Sequence, residues 1–250
     1  MAQKLLPANL PEILRDAGLK VVVVDGWRNR YRPNGSFGPV GVLVHHTATK
    51  PTSEDRDVVN LLVRGRSDLP GPLCQLGLGR DGTVYVIAAG RGNHAGKAKA
   101  NGTVAAGDGN SLYIGIEAFN DGVGEPWPDV QYDAYVKLCA VLCKRVTGNS
   151  AQTVRGHKET SVTGKIDPTF DMNEFRAKVA AEMASNNSDG NVPSKPTRGA
   201  NVDEMLVHAT KAMNLLPKAT NARASWRYQI IDKALRTAVY HLRKMPLIKP

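Results

Sequence analysis

Short apolar runs rich in β-branched residues alternate with amphipathic stretches along the first 184 residues. Asp81 and Gly82 separate two apolar runs, which is a hairpin signal. Other stretches repeat apolar residues three and four apart and predict helices. The alternation predicts an α/β fold, a central mixed β-sheet flanked by helices. The predicted strands are Val21–Val24, Gly41–Val44, Leu73–Gly79, Thr83–Ile87 and Leu112–Ala118, and the predicted helices are Asp55–Gly65, Tyr132–Val146 and Asn173–Ala184.

The composition changes after residue 184, where the chain becomes polar and rich in Ser, Asn, Gly and Pro. This stretch predicts a linker over 185–200, between a domain at 1–184 and a small helical domain at 201–250. The net charge is +10, and residues 184–250 hold 11 Lys or Arg against 4 Asp or Glu. Such a module either stabilises the first domain or targets the protein to an anionic partner: nucleic acid, a membrane surface or a cell-wall polymer.

Several classes of protein are excluded by simple features. Hydrophobic residues make up 42% of the chain, which is enough for a core. The apolar run Val21–Val24 is far too short to cross a bilayer, and residues 1–16 lack the features of a signal peptide. The expectation is a soluble cytoplasmic protein, or one that leaves the cell by a route it does not encode. Three cysteines cannot form a disulfide framework, and Cys139 and Cys143 are expected on a buried helix face.

Polar residues with catalytic chemistry occur at three places. His45 ends an apolar run, and His157 precedes Asp167 by ten residues. Two histidines and a carboxylate could bind catalytic zinc, which takes three protein ligands and leaves a position for water. A strand-end histidine can equally be a hydrogen-bonded structural residue. Glu117 ends another apolar strand, where it is either a salt-bridged group or a general base.

Together these places resemble the type 2 N-acetylmuramoyl-L-alanine amidases and peptidoglycan recognition proteins, over about residues 40–175. The resemblance implies a mixed sheet flanked by helices and one bound Zn²⁺. It also implies cleavage of the amide between the lactyl group of N-acetylmuramic acid and L-alanine in peptidoglycan. The four motifs that carry it, in the family's order and spacing, are Val44–Ala48, Asn93–Gly96, Ile114–Glu117, and Gly156–His157 with Lys165–Pro168.

The resemblance also assigns roles to residues. His45, His157 and Asp167 fall on the zinc-ligand positions. Glu117 falls on the glutamate that acts as base in one branch of the family, and Lys165 falls on the lysine that stabilises the oxyanion.

Two further histidines are assigned to substrate binding in a supporting role, because His46 adjoins a ligand position and His94 lies in a motif that lines the substrate groove. The chain departs from the family at one point, since Cys74 or its neighbour stands where some members have a catalytic Tyr. Members without hydrolytic residues bind peptidoglycan and do not cut it, so a non-catalytic recognition protein is the alternative.

A catalytic domain with a basic module and no signal peptide resembles a phage endolysin. Such a protein stays in the cytoplasm of the infected host until a holin opens the membrane. The expected partners are peptidoglycan and, through residues 201–250, anionic wall polymers, with no specific nucleic acid and no transmembrane segment. A cytoplasmic recycling amidase and a nucleic-acid-associated protein are weaker alternatives. Residues 1–40 either pack on the sheet or extend the groove.

Overall fold

A six-stranded mixed sheet forms the centre of the fold in the computed structural model, which describes residues 4–185. The predicted linker beyond Ser185 and the predicted helical domain at 201–250 lie outside the described residues. The helices are α1 (Leu10–Asp16), α2 (Asp55–Arg64), α3 (Gly109–Leu112), α4 (Asp129–Leu142), α5 (His157–Thr160) and α6 (Met172–Ser185). The strands are β1 (Val21–Val23), β2 (Gly41–His46), β3 (Gly65–Arg66), β4 (Leu69–Pro70), β5 (Leu76–Leu78), β6 (Val84–Val86), β7 (Lys97–Ala98), β8 (Gly107–Asp108), β9 (Tyr113–Ala118) and β10 (Val154–Gly156).

The sheet has the strand order β1-β6-β5-β9-β2-β10. Only β5 and β6 pair antiparallel, through the predicted hairpin at Asp81 and Gly82, and every other neighbouring pair is parallel. Strands β5, β9, β2 and β10 therefore run in one direction. Their carboxyl ends meet at one edge, which is where open α/β sheets bind their ligands. The predicted fold class is confirmed.

The main core lies between the sheet and the helices α1, α4 and α6. Successive strand residues point to opposite faces, so Val42, Val44, Ile114 and Ile116 all face this core. Cys139 and Cys143 are buried in it as free thiols, as the helical spacing predicts.

Some element boundaries differ from the predictions. The predicted strand Leu73–Gly79 shortens to β5. Just before it, the Gln75 side chain binds neighbouring backbone groups: its amide donates to the carbonyl oxygen of Gly90 and its oxygen accepts from the N–H of Gly115. The predicted helix Tyr132–Val146 begins three residues earlier, at Asp129, and continues after Leu142 as a π-helical turn to Thr147.

The described part of residues 1–40 packs on the sheet. Helix α1 was not predicted, and its Leu10 and Leu14 are fully buried in the main core together with Trp27.

Within residues 4–185, no helix combines the length and apolar character needed to span a membrane.

Candidate metal centre and catalytic cleft

Three predicted ligand residues converge at the carboxyl edge of the sheet. His45 is the penultimate residue of β2, His157 directly follows β10, and Asp167 lies in the segment between α5 and α6. The Nδ1 atoms of His45 and His157 lie 2.9 and 3.2 Å from the same oxygen, Oδ2 of Asp167. All three residues are buried, and their ligand atoms lie within 4.8 Å of one another.

The charges of this group suit a divalent metal. Burial lowers the pKa of the His45 imidazole to about 4, so this ring is neutral at pH 7 and keeps a lone pair for a metal. Burial acts to raise the pKa of Asp167, but hydrogen bonds to His157 and His45 hold it well below its usual range. Two imidazoles and one carboxylate form the donor set of a catalytic zinc site with an open fourth position, so the residues fit Zn²⁺.

Glu117 lies beside this group without being part of it. In the parallel register of β2 and β9, Glu117 pairs with His45, and its Oε1 lies 4.0 Å from His45 Nδ1. Its side chain is 15% exposed, so the carboxylate lies beside His45 and keeps some contact with solvent. Burial, followed by the negative charge of Asp167, raises the pKa of Glu117 well above its usual range. A raised pKa brings a carboxylate closer to the values that suit a general base at neutral pH.

The positive charges of two side chains act on the Glu117 carboxylate. Lys165 is exposed in the loop before Asp167, and its positive charge lowers the pKa of Glu117 against the effect of burial. Arg66 on β3 acts in the same direction, and it also forms a salt bridge with Asp68. Lys165 is predicted from the family motif, whereas Arg66 is not, because nothing in the sequence places β3 near the end of β9.

The two remaining predicted histidines lie in different surroundings. The half-buried ring of His46 packs on Gly122, whose φ is +71° and where an added Cβ would lie 2.2 Å from His46 Nε2. Its Nδ1 is buried and has no hydrogen-bond partner among residues 4–185. His94 lies on the side of the His45 ring that faces away from Asp167, with its Nδ1 only 3.1 Å from Nε2 of His45.

Tyr135 supports the site and was not identified from the sequence. Its buried hydroxyl accepts the backbone N–H of His45 at 2.9 Å and lies 3.0 Å from the carbonyl oxygen of Ile116, to which it can donate. It therefore joins β2 and β9 beside a predicted ligand. A tyrosine within the apolar face of a predicted helix is the only sequence signal for it, and that signal is weak.

Cys74 lies beside Glu117, and it or its neighbour stands where the resemblance leads us to expect a Tyr. Its thiol is fully buried, and burial raises its pKa well above the usual range, as does the negative charge of Glu117. The thiol is therefore protonated at neutral pH. The chain has no phenol at this position, unlike the family members with a catalytic Tyr.

Comparisons with known proteins identify the family of this chain. The family model described as N-acetylmuramoyl-L-alanine amidase matches residues 36–170, just over half of the chain. The chain belongs to this family. Comparison with curated proteins gives no match.

Several solved structures are similar to the chain. N-acetylmuramoyl-L-alanine amidase LysC from Clostridium intestinale URNW is 20% identical, with 64% of this chain and 97% of that chain covered and a TM-score of 0.48. The Ph2119 endolysin from the Thermus scotoductus MAT2119 bacteriophage Ph2119 is 19% identical, with 64% and 99% covered and a TM-score of 0.47. Drosophila PGRP-LB is 20% identical, with 58% and 86% covered and a TM-score of 0.44. The family assignment rests on the match over residues 36–170.

Proposed function

We propose that this protein is a zinc-dependent amidase that hydrolyses the bond between N-acetylmuramic acid and L-alanine in peptidoglycan. One observation carries the proposal: His45, His157 and Asp167 converge within 4.8 Å, and Glu117 lies 4.0 Å from His45 at the same sheet edge. Family membership supports the substrate class.

The residues divide the chemistry among them. His45, His157 and Asp167 would hold the Zn²⁺, which supplies Lewis acidity and lowers the pKa of a bound water to about 7. Glu117 accepts the proton of the attacking water as the new C–O bond forms. It then delivers that proton to the departing amine nitrogen as the C–N bond breaks. The Lys165 ammonium stabilises the negative charge that develops on the substrate carbonyl oxygen.

We further propose a lytic role as a phage endolysin, held in the cytoplasm of the infected host until release to the wall. The excess of basic residues over 184–250, 11 against 4 acidic, supports binding of that part to anionic wall polymers. Sedimentation of the full chain with purified walls at increasing salt tests this, because electrostatic binding weakens as salt screens the charges. Binding that does not depend on salt would contradict an electrostatic role.

A non-catalytic recognition protein is the second candidate. The buried thiol of Cys74, in place of the Tyr of some members, is the observation that favours it. The presence of both Glu117 and Lys165 beside the metal-ligand group favours hydrolysis.

Digestion of purified peptidoglycan distinguishes the two candidates. We expect mass spectrometry of the products to show free stem peptides that begin with L-alanine. Their release should stop with a chelator and return when zinc is added. Binding to peptidoglycan without released peptide would establish the recognition protein instead. New reducing sugar ends would show that a glycosidic bond is cut and would contradict the amidase.

A further inference from the structure

The ring of His94 contacts His45, a predicted zinc ligand, on the side of the His45 ring that faces away from Asp167. Its Nδ1 lies 3.1 Å from Nε2 of His45, and the two rings are nearly perpendicular, at 85°, with centroids 5.2 Å apart. The opposite nitrogen of His45, Nδ1, lies against Asp167. His94 therefore contacts the one ring nitrogen of His45 that the ligand group does not use.

The protons of the two rings follow from this contact. A neutral imidazole that gives its Nδ1 lone pair to a metal carries its proton on Nε2. The Nε2–H of His45 then donates to Nδ1 of His94, so His94 must accept there and carry its own proton on Nε2.

The surroundings hold His94 in this position. The buried Asn110 side chain accepts the backbone N–H groups of both His94 and Ala95 at 2.8 Å. On β9, Gly115 leaves room for the ring, since an added Cβ there would lie only 2.6 Å from His94 Cγ. A glycine in the middle of an apolar strand marks such a close approach, and here it admits the ring that contacts His45.

We propose that His94 is a positioning residue that fixes the ring orientation and tautomer of His45 for zinc, rather than a group that binds substrate. The inference rests on the zinc site proposed above. Partners of this kind fix a ligand histidine, and their loss weakens metal binding by about 10- to 100-fold. His94 differs from the common carboxylate or carbonyl partner in being a neutral imidazole.

Zinc affinity of the full chain tests the inference, measured by competition with a chromophoric chelator. We expect His94→Ala to weaken zinc binding by about 10- to 100-fold. His94→Asn should recover much of the affinity, because its side-chain oxygen is an acceptor close to the position of Nδ1. Gly115→Ala should weaken binding as well by displacing the ring. Gly38→Ala is the matched control, since an added Cβ there meets nothing within 4 Å.

The outcomes separate this inference from the proposed function. Zinc affinity that is unchanged in His94→Ala, with a raised KM for peptidoglycan fragments, would make His94 a substrate ligand and overturn the inference alone. A wild-type chain that binds no zinc would overturn the zinc site as well. Circular dichroism of the metal-free variants shows whether each is folded. If His94→Ala is unfolded, Gly115→Ala and His94→Asn test the inference instead. A zinc affinity equal to wild type in Gly115→Ala overturns it.

Discussion

The two faces of strands β2 and β9 carry different kinds of residue. On one face, Val44 and Ile116 are fully buried in the apolar core beneath α4. On the other face, a smaller apolar cluster comes first, and beyond Gly115 the paired residues His45 and Glu117 lie at the carboxyl ends of the strands. The same two strands thus present a continuous core on one side and, at their carboxyl ends, the polar residues of the candidate metal site on the other.

This difference shows how the fold separates stability from chemistry. The apolar face stabilises the domain by removing side chains from water. The polar face buries ionisable groups, which is unfavourable unless they bind one another or a metal. His45 and Asp167 satisfy this condition with a hydrogen bond of 2.9 Å. Substitutions on the two faces should therefore have different consequences.

The largest effect is expected when a ligand on the polar face is removed. His157→Ala should weaken zinc binding by more than about 100-fold, beyond the loss expected for an outer partner, and abolish hydrolysis. Metal analysis and peptidoglycan digestion measure both quantities. His46→Ala is the control, because the His46 ring packs on Gly122, and it should retain zinc. Zinc that stays bound in His157→Ala would contradict the assigned ligand set.

Substitution of Lys165 tests the second predicted catalytic residue of the site. Lys165→Ala should lower kcat by about 10²- to 10³-fold, which is typical for loss of one group that stabilises an oxyanion. KM and the free energy of unfolding should change little, because the side chain is exposed. Steady-state kinetics on a soluble muropeptide measures the two constants. A raised KM with unchanged kcat would instead give Lys165 a role in substrate binding.

The apolar face should behave in the opposite way. Ile114→Ala removes a fully buried side chain and should lower the free energy of unfolding by about 2–5 kcal/mol. The folded fraction should keep the zinc affinity and kcat of wild type. Urea denaturation and zinc competition measure the two properties. A loss of zinc affinity as large as the one expected for His157→Ala would break the separation between the faces.

The smallest effect concerns the start of α6, which covers the apolar face. Asp171 Oδ1 accepts the N–H groups of Glu174 and Asn173, and these hydrogen bonds lower the pKa of Asp171 below its usual value. A lowered folded-state pKa stabilises the protein above the ordinary pKa of about 3.9, and the contribution is lost as the pH falls through the folded-state value.

Asp171→Ala should therefore lower the unfolding temperature slightly at pH 7, and the difference from wild type should shrink as the pH falls below the ordinary Asp pKa of about 3.9. Thermal unfolding between pH 2 and 7 measures it. Asp133→Ala, which removes an exposed carboxylate of α4, is the control. A difference that persists unchanged at low pH would show that the Asp171 hydrogen bonds are not its cause.

The sequence predicts the residues that lie in regular elements better than those that meet through tertiary packing. The alternation along β9 correctly places Glu117 opposite Ile116, because the period of a strand is two. The contact of His94 with Gly115 joins a loop to a strand and leaves no local pattern. The buried hydroxyl of Tyr135 likewise acts on a strand 90 residues away.

The boundary of β5 could not be predicted from the sequence. Just before β5, the side-chain oxygen of Gln75 accepts the N–H of Gly115, and no hydropathy pattern indicates this contact. Family motifs identify the convergence of His157 and Asp167, which spacing alone leaves open.

The role of Glu117 is tested most directly by measuring bound zinc and released stem peptide on one preparation of Glu117→Gln. We predict one zinc per chain, as in wild type, with hydrolysis lowered by about 10²- to 10⁴-fold, the contribution of a general base. Gln keeps the size of the side chain and removes the proton acceptor. Hydrolysis near the wild-type rate, or loss of zinc together with activity, would contradict the role of Glu117 beside the metal-ligand group.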